Sequence, residues 1–332
     1  MIIDVHTHIV PENFPPVGNR KAGPRWPHMD HTGPDSANVM YEGKNYRTVL
    51  NRCWDVPRRI AEMPDQGVDK QVLSPMPRLL NYDLDPADAL DMSRYLNEVI
   101  VRMMEEAPDR FYGLGSVPLQ DVELSTRELR RIKELGLQGI EVQTNIAGKN
   151  LGDAEYRPFL KEMESLGLSI FSHAQNPTFP DRMVGEAGEN SVGFPMENGF
   201  AVAGVITGRV LVDCPNLRIC FSHGGGVFTQ LLPRMENQWQ GGGALKQALP
   251  KSPTEYARQC YYDDIFFNNT TLRYLIDMVG ASQVMVGSDY PFGGGWRFNV
   301  KPEDEFEQIK LTNAEKEAIG YRNCLRFLGL EA

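Results

Sequence analysis

Two histidines separated by one residue follow a short apolar run at the start of the chain. The segment from Ile2 to His8 has the length of a β-strand, in which side chains two positions apart lie on the same face. We therefore expect the imidazoles of His6 and His8 to point in the same direction at the end of that strand. Neutral imidazole is a good ligand for zinc and other first-row metals. The pair alone is a weak sign of a metal site, and its value depends on further ligands elsewhere.

Three more side chains suited to metal or proton chemistry end later strand-like runs: His173, His223 and Asp289. The chain has six histidines, and four of them occupy this kind of position. Chance places four of six histidines there only rarely, so the set predicts one common site. The other two, His28 and His31, lie in a polar segment rich in proline and glycine, and we expect them to be exposed to solvent.

The elements that would position these residues alternate between strands and helices. Eight strand-like runs lie at residues 2–8, 70–74, 111–117, 139–143, 169–173, 218–223, 264–268 and 284–289. Between them, Asp85-Pro86 is a typical helix start for a pattern that extends to about residue 107. Two other amphipathic patterns, 122–135 and 153–166, end before Gly136 and Gly167, a typical residue at helix C-termini.

This alternation predicts an α/β fold, a distorted (β/α)8 TIM barrel formed by residues 1–332 as one domain. Two insertions interrupt it, a loop at about 11–45 and a segment at about 176–213 whose apolar part, 195–212, is a helix of the core or of a subunit interface. A doubly wound sheet is the alternative, but no Gly-x-Gly-x-x-Gly turn follows the first strand. Active sites of such barrels lie at the carboxyl ends of the strands, where the histidines and Asp289 would meet.

Composition excludes several classes of partner. The formal charge of −10 and the pI near 5.2 argue against binding to nucleic acid or to an anionic membrane surface. The five cysteines are scattered without a Cys-x-x-Cys pair, so neither a zinc ribbon nor a disulfide framework is expected. Without a secretory signal pattern or an apolar run of about 18 residues, a soluble cytoplasmic protein is expected.

Several motifs together resemble those of the metal-dependent amidohydrolase superfamily, and more narrowly its decarboxylating branch. They are His6-x-His8, the later His173, the turn His223-Gly224-Gly225-Gly226, and Gly287-Ser288-Asp289-Tyr290-Pro291. The resemblance extends over essentially the whole chain, and it is strongest at 43–55, 117–121, 219–239 and 284–292.

The resemblance implies one divalent metal, zinc first and manganese as the alternative, with no organic cofactor. Its ligands would be His6, His8, His173 and Asp289. Three imidazoles and one carboxylate leave an open coordination position, as catalytic metal sites require. Binuclear relatives carry a modified lysine at the end of the fourth strand, where this chain has Glu141 and Gln143. One metal is therefore expected, with Glu141 outside the ligand set.

The resemblance also assigns roles beyond the metal. It implies that His223 stands beside the metal as general acid/base, with a fourth imidazole ligand as the alternative, and that Asp289 is catalytic as well as a ligand. Arg47 and Arg234 would hold substrate carboxylates, for which the guanidinium fork is suited. Arg234 would reach the active site of a neighbouring subunit, so that a homodimer is the smallest active unit.

The expected reaction is metal-dependent, non-oxidative loss of CO2 from a carboxylated unsaturated or aromatic acid. The metal would stabilise the negative charge that develops, and the conjugated substrate would act as its own electron sink. The alternative is hydrolysis of a C–N, C–O or C–C bond with Asp289 as base. The carboxylate-binding arginines and the His223 turn favour decarboxylation.

Overall fold

The computed structural model describes residues 1–185, 188–292 and 300–330. In chain order its strands are β1 (Ile3–Ile9), β2 (His28–Gly33), β3 (Ser36–Tyr41), β4 (Lys44–Leu50), β5 (Lys70–Pro75), β6 (Phe111–Gly115), β7 (Gly139–Gln143), β8 (Asn145–Ile146), β9 (Lys149–Asn150), β10 (Ser169–His173), β11 (Ile219–Phe221), β12 (Tyr261–Asp263) and β13 (Val284–Met285). Eight of them pair side by side in parallel, in the order β1-β5-β6-β7-β10-β11-β12-β13.

Backbone hydrogen bonds between the first and the last strand close this sheet into a barrel. The Val5 N–H donates to the Val286 carbonyl (2.8 Å), and the Asp289 N–H donates to the His6 carbonyl (2.9 Å). A doubly wound sheet is open and has no such contact between its edges. The predicted (β/α)8 barrel is confirmed.

Helices follow the barrel strands and cover their outer surface. In chain order they are α1 (Val56–Gln66), α2 (Pro86–Glu106), α3 (Val122–Glu134), α4 (Arg157–Leu166), α5 (Phe194–Thr207), α6 (Val210–Asp213), α7 (Phe228–Gln240), α8 (Ala244–Ala248), α9 (Pro253–Ala257), α10 (Asn269–Val279), α11 (Pro302–Gln308), α12 (Asn313–Glu317) and α13 (Asn323–Leu328). The predicted start of α2 is confirmed, because the Asp85 carboxylate accepts a hydrogen bond from the Ala87 N–H (3.1 Å). Gly136 and Gly167 adopt left-handed backbone after α3 and α4. Within the described ranges, no helix is both long and apolar enough to cross a bilayer.

The predicted loop at 11–45 is wrong for its second half. Residues 28–50 form a three-stranded antiparallel sheet, β2-β3-β4, that begins after an irregular segment. The strand β3 alternates buried and half-buried side chains, with Ala37, Val39 and Tyr41 facing the core. This period of two outweighs the proline and glycine content of the flanking residues.

Two other boundaries differ from the sequence-based prediction. The seventh barrel strand is β12 at 261–263 and not 264–268, because Tyr261 and Tyr262 pair with β11 while the following apolar residues leave the sheet. The predicted helix at 195–212 is divided into α5 and α6 at Arg209, which has a left-handed backbone. Most of its apolar side chains are buried, so it packs in the core. Residues 186–187 of the same insertion lie outside the described ranges.

A small apolar cluster fills the interior of the barrel. It includes Val5, Leu114, Phe171 and Met285 from the strands, and Phe327 from α13. Phe327 packs beside Tyr261 at the start of β12, with ring centroids 5.6 Å apart, so α13 lies at the amino ends of the strands. The opposite, carboxyl end is left for the site.

Candidate metal centre and active site

A bulge in β1 turns both opening histidines into the barrel. Ile3 and Val5 belong to the interior cluster, so strict alternation would place His6 and His8 on the opposite face. The pairing of β1 with β5 is irregular between Asp4 and Thr7, which shifts the alternation by one residue. Bulges commonly re-aim side chains at barrel rims in this way. The bulge thus directs both imidazoles toward the interior.

The four predicted ligands converge at the carboxyl ends of β1, β10 and β13. One ligand atom from each of His6, His8, His173 and Asp289 lies within 4.8 Å of the other three. The Nε2 atoms of His6 and His8 are 3.1 Å apart, and Asp289 Oδ1 lies 3.6 Å from the former and 3.1 Å from the latter. Tetrahedral zinc with bonds near 2.1 Å separates its ligand atoms by about 3.4 Å. The donor set therefore has the spacing of a metal site.

The hydrogen bonds of the imidazoles fix which nitrogen faces this centre. His6 Nδ1 contacts a carboxylate oxygen of Asp263 (2.6 Å), His8 Nδ1 contacts the Pro75 carbonyl (3.1 Å), and His173 Nδ1 contacts the Ala174 carbonyl (2.8 Å). Because these oxygens only accept, each Nδ1 carries a hydrogen, and in the neutral form of each ring Nε2 presents a lone pair. The buried Nε2 of His173 has no hydrogen-bond partner in the described part of the chain. Converging lone pairs of this kind fit a cation.

Burial and neighbouring charges set the protonation of these side chains. Burial lowers the pKa of His6, but the hydrogen bond and charge of Asp263 outweigh it and raise that pKa to about 9, so the metal-free ring carries a second proton on Nε2 that a bound cation would displace. Burial lowers the pKa of His8 to about 4, so this ring is neutral, as a metal ligand must be. Contacts with His8 and His6 hold the pKa of Asp289 below its usual range despite burial, so its carboxylate is ionised.

His223 lies beside the ligands but outside the group of four. Its ring centroid is 5.2 Å from those of His6 and His173. Its Nδ1 contacts the Ser222 hydroxyl (3.1 Å), which leaves Nε2 for other contacts. Burial lowers the pKa of His223, so the ring is neutral at neutral pH and can accept a proton.

Glycines shape the turn that carries His223. Both His223 and Gly224 have left-handed φ, of 50° and 58°. A Cβ on Gly224 would lie 2.0 Å from Cζ of Phe266, and one on Gly226 would lie 2.1 Å from the Pro195 carbonyl oxygen. Close packing thus leaves no room for a side chain at Gly224 or Gly226.

A cavity of about 1150 Å³ opens onto the centre and contains one of the two predicted arginines. It is lined by His173, His223 and Asp289 at one end and by Arg47 from β4. The Phe292 ring stacks 6.0 Å from that of His8, and the Arg47 guanidinium lies 4.4 Å from the same phenyl ring. Phe292 therefore connects the metal centre to a cation that can bind a carboxylate.

The remaining residues named from the sequence lie elsewhere. Arg234 is exposed on α7 and is not among the described residues that line the cavity. His28 and His31 are exposed on β2, as expected. Glu141 is buried with one oxygen 3.8 Å from His8 Nδ1, outside the ligand group.

Sequence reasoning missed two residues that hold the ligands. Asp263, the last residue of β12, accepts hydrogen bonds from both His6 and the Gly224 N–H (2.9 Å). Arg59, on α1, donates to the His8 carbonyl from both terminal nitrogens (3.1 and 3.0 Å). A carboxylate at the end of the seventh strand is a detectable signal, but the predicted strand began one residue after it. No pattern in the sequence marks Arg59.

Comparisons with known proteins agree with this site. A profile described as amidohydrolase matches residues 3–330. The 2-amino-3-carboxymuconate-6-semialdehyde decarboxylase of Dictyostelium discoideum is 38% identical over 332 residues, covering 99% of this chain and 92% of that protein. The apo crystal structure of IDCase from Metarhizium anisopliae superposes with a TM-score of 0.84 at 21% identity, covering 100% of this chain and 97% of that chain. A dihydroxybenzoic acid decarboxylase from Polaromonas sp. JS666, with bound manganese and 2-nitroresorcinol, gives a TM-score of 0.77 at 21% identity, covering 100% and 98%.

The protein is thus a (β/α)8 barrel with a candidate metal site of three histidines and one aspartate at the carboxyl ends of its strands. The chain belongs to the amidohydrolase family. Within that family it is a carboxy-lyase, a decarboxylase similar over its full length to the 2-amino-3-carboxymuconate-6-semialdehyde decarboxylases. The predicted family and reaction class are confirmed.

Proposed function

We propose that this decarboxylase releases CO2, without an oxidant, from a carboxylated unsaturated or aromatic acid. One observation carries the proposal: a single cavity is lined by two residues of the four-residue cluster, His173 and Asp289, and also by the neutral His223 and by Arg47. Aromatic side chains, including Phe194, Phe266 and Phe292, form part of its wall and suit a flat conjugated molecule.

We propose that His6, His8, His173 and Asp289 hold one divalent metal, zinc with manganese as the alternative. Manganese in the Polaromonas relative supports the second choice. Such a metal supplies Lewis-acid stabilisation of negative charge on substrate oxygens. The protein's own contribution is to hold the three imidazoles in the tautomer that presents Nε2 to the metal.

His223 moves the proton in this proposal. The substrate carbon exchanges its carboxylate for a proton: either the proton is added first and the electron pair of the C–C bond returns to the conjugated system as CO2 leaves, or CO2 leaves first and the proton is added to the electron pair that remains. His223 lines the cavity, its Nδ1 is held by Ser222, and its neutral ring can take a proton and return it through Nε2. The ionised Asp289 beside the same cavity stabilises the imidazolium that forms.

Arg47 binds a substrate carboxylate in the proposed complex. The planar guanidinium rests against the Phe292 ring, a contact that orients the fork while leaving its edge free for two hydrogen bonds. Arg47→Met is expected to raise KM by about 10- to 100-fold, the loss typical of a charged hydrogen-bonded pair. Lys44→Met removes a positive charge from the same strand outside the cavity and is the matched control. Equal KM values for the two variants would refute the assignment.

Arg234 completes the active site of a neighbouring subunit in a proposed homodimer. Its exposed position on α7 leaves the guanidinium available to a second chain. Mixing inactive His223→Ala protein with inactive Arg234→Ala protein tests this, because heterodimers regain one complete site. Recovery of activity on mixing supports the shared site, and its absence with confirmed subunit exchange excludes it.

The reaction itself is tested with substrates labelled with ¹³C in the carboxyl group. Carboxymuconate semialdehydes and carboxylated phenols are incubated with protein of measured metal content, and ¹³CO2 is followed by mass spectrometry. Metal-dependent release of ¹³CO2 is expected from at least one acid. Cleavage into two organic products without CO2 would indicate a hydrolase instead.

A cytoplasmic location is also proposed. All five cysteines are buried and unpaired, as in proteins of reducing compartments. Fractionation of the native host tests this location.

A further inference from the structure

We propose that Asp263 is a positioning residue that sets the tautomer of His6 and anchors the turn carrying His223. The proposal rests on the metal site described above. It concerns a fully buried carboxylate that is itself outside the ligand group.

The two oxygens of Asp263 have different partners. Oδ2 accepts a hydrogen bond from His6 Nδ1 (2.6 Å). Oδ1 accepts from two backbone N–H groups, those of Gly224 (2.9 Å) and Ile265 (3.2 Å). One carboxylate thus contacts both His6, the first proposed metal ligand, and the backbone of Gly224, the residue that follows His223.

Such an acceptor decides the proton position on the His6 ring. Imidazole has two nitrogens, and the neutral ring carries one hydrogen between them. A carboxylate at Nδ1 keeps the hydrogen there, so the Nε2 lone pair faces His8 and Asp289. With the other tautomer, an N–H would point into the centre and exclude a cation.

Replacing Asp263 by asparagine should therefore disturb the His6 tautomer, although the two side chains have nearly the same size. Two backbone N–H groups favour the amide oxygen at the Oδ1 position, so the NH2 group must face His6 Nδ1. Two donors then oppose each other unless the His6 hydrogen moves to Nε2. Alanine removes the carboxylate without imposing either tautomer.

The experiment compares Asp263→Asn with Asp263→Ala in the full chain, with Co²⁺ as the probe. Loss of a hydrogen-bonding partner of a metal ligand typically weakens metal binding about 10- to 100-fold, which is expected for alanine. For asparagine we expect a loss of more than about 100-fold, because the imposed tautomer adds to it. At saturating Co²⁺ the alanine variant should keep the wild-type visible spectrum, whereas the asparagine variant should show the spectrum of a set with one imidazole fewer.

Unfolding in urea separates this role from simple packing. Asparagine keeps the size and one acceptor, so it should destabilise the metal-free chain less than alanine does. The two variants would thus rank in opposite orders for stability and for Co²⁺ affinity. Asp264→Asn is the matched control, because its amide oxygen can still accept from the Gly287 N–H (2.8 Å) and its side chain has no part in the ligand group.

Two results overturn the proposal: Co²⁺ binding by Asp263→Asn equal to that of wild type, or metal affinities that simply follow the stability order. Failure of the wild-type chain to bind one Co²⁺ would instead reject the metal site itself. The two failures are therefore distinguishable.

Discussion

Replacing the buried arginine behind the metal ligands should unfold the barrel more easily. Arg59 is fully buried on α1, and its Nε donates to Gln71 Oε1 (2.7 Å) while both terminal nitrogens donate to the His8 carbonyl. Its guanidinium also lies 4.7 Å from the ring of Tyr290, which follows the ligand Asp289. One side chain thus connects the two strands that close the barrel.

The loss in free energy of unfolding expected for Arg59→Met follows from the hydrogen bonds that methionine cannot make. Methionine fills much of the volume, but the His8 carbonyl and Gln71 Oε1 lose their donor in a buried setting. Each unsatisfied acceptor costs about 1–3 kcal/mol. Burial lowers the pKa of Arg59, a sign that the guanidinium itself is costly to bury, and its removal offsets part of the loss. A net decrease of about 3 kcal/mol in the free energy of unfolding is expected.

Urea unfolding of metal-free protein, followed by circular dichroism, measures this decrease. Arg58→Met is the matched control, since Arg58 is the preceding residue of α1, with a side chain 53% exposed and paired with Glu62. The control should change the free energy of unfolding by less than about 0.5 kcal/mol. Equal unfolding midpoints for the two variants would refute the reasoning.

Three further perturbations test the site and its surroundings. His173→Ala removes one of three imidazoles, so zinc measured by mass spectrometry after dialysis should fall well below one per chain; full occupancy would exclude His173 as a ligand. Gly226→Ala combines a left-handed φ of 60° with a Cβ 2.1 Å from the Pro195 carbonyl oxygen, and should cost more than about 2 kcal/mol in urea unfolding. Gly242→Ala, with a φ of 78° but open space around it, should cost less, and equal costs would contradict the role of packing. Burial raises the pKa of Glu141 to about 8, so in metal-free protein the folded state keeps a proton that the unfolded state releases. The contribution of Glu141 to the free energy of unfolding should therefore fall by about 1.4 kcal/mol per pH unit between about pH 4.3 and pH 8. Glu141→Gln should remove that contribution, so the difference in free energy of unfolding between the two proteins should change with pH, and a difference that is independent of pH would contradict it.

The ligand set could be predicted because its residue types are rare and its positions are regular. Histidine occurs six times in this chain, and a parallel barrel brings all strand ends to one rim. Three histidines at strand ends therefore supported one another, and Asp289 joined them from the last strand. The bulge that turns His6 inward was beyond sequence reasoning, because it depends on how β1 pairs with β5.

The sequence-based prediction misplaced strands where one local pattern obscured another. Ile265, Phe266 and Phe267 form the most apolar stretch of their region, yet the strand ends at Asp263 and Phe267 has a left-handed backbone. Their side chains help to line the cavity, so the apolar run reflects the site and not a strand. Similarly, the alternation in β3 was hidden by the proline-rich residues before it.

The residues that contact the ligands could not be predicted in the same way. Arg, Asp and Phe are common, and what gives Arg59, Asp263 and Phe292 their roles is distance to a ligand, which only the folded chain defines. Their contacts reach both ends of the site: Asp263 holds His6, and Phe292 lies between His8 and Arg47. Because these supports belong to different parts of the chain, the closure of the barrel sets the spacing between the four-residue cluster and Arg47, the carboxylate-binding residue of the proposed function. If Arg47 binds the substrate carboxylate as proposed, that spacing selects which acid fits, and substrate choice then depends on the same contacts that stabilise the fold.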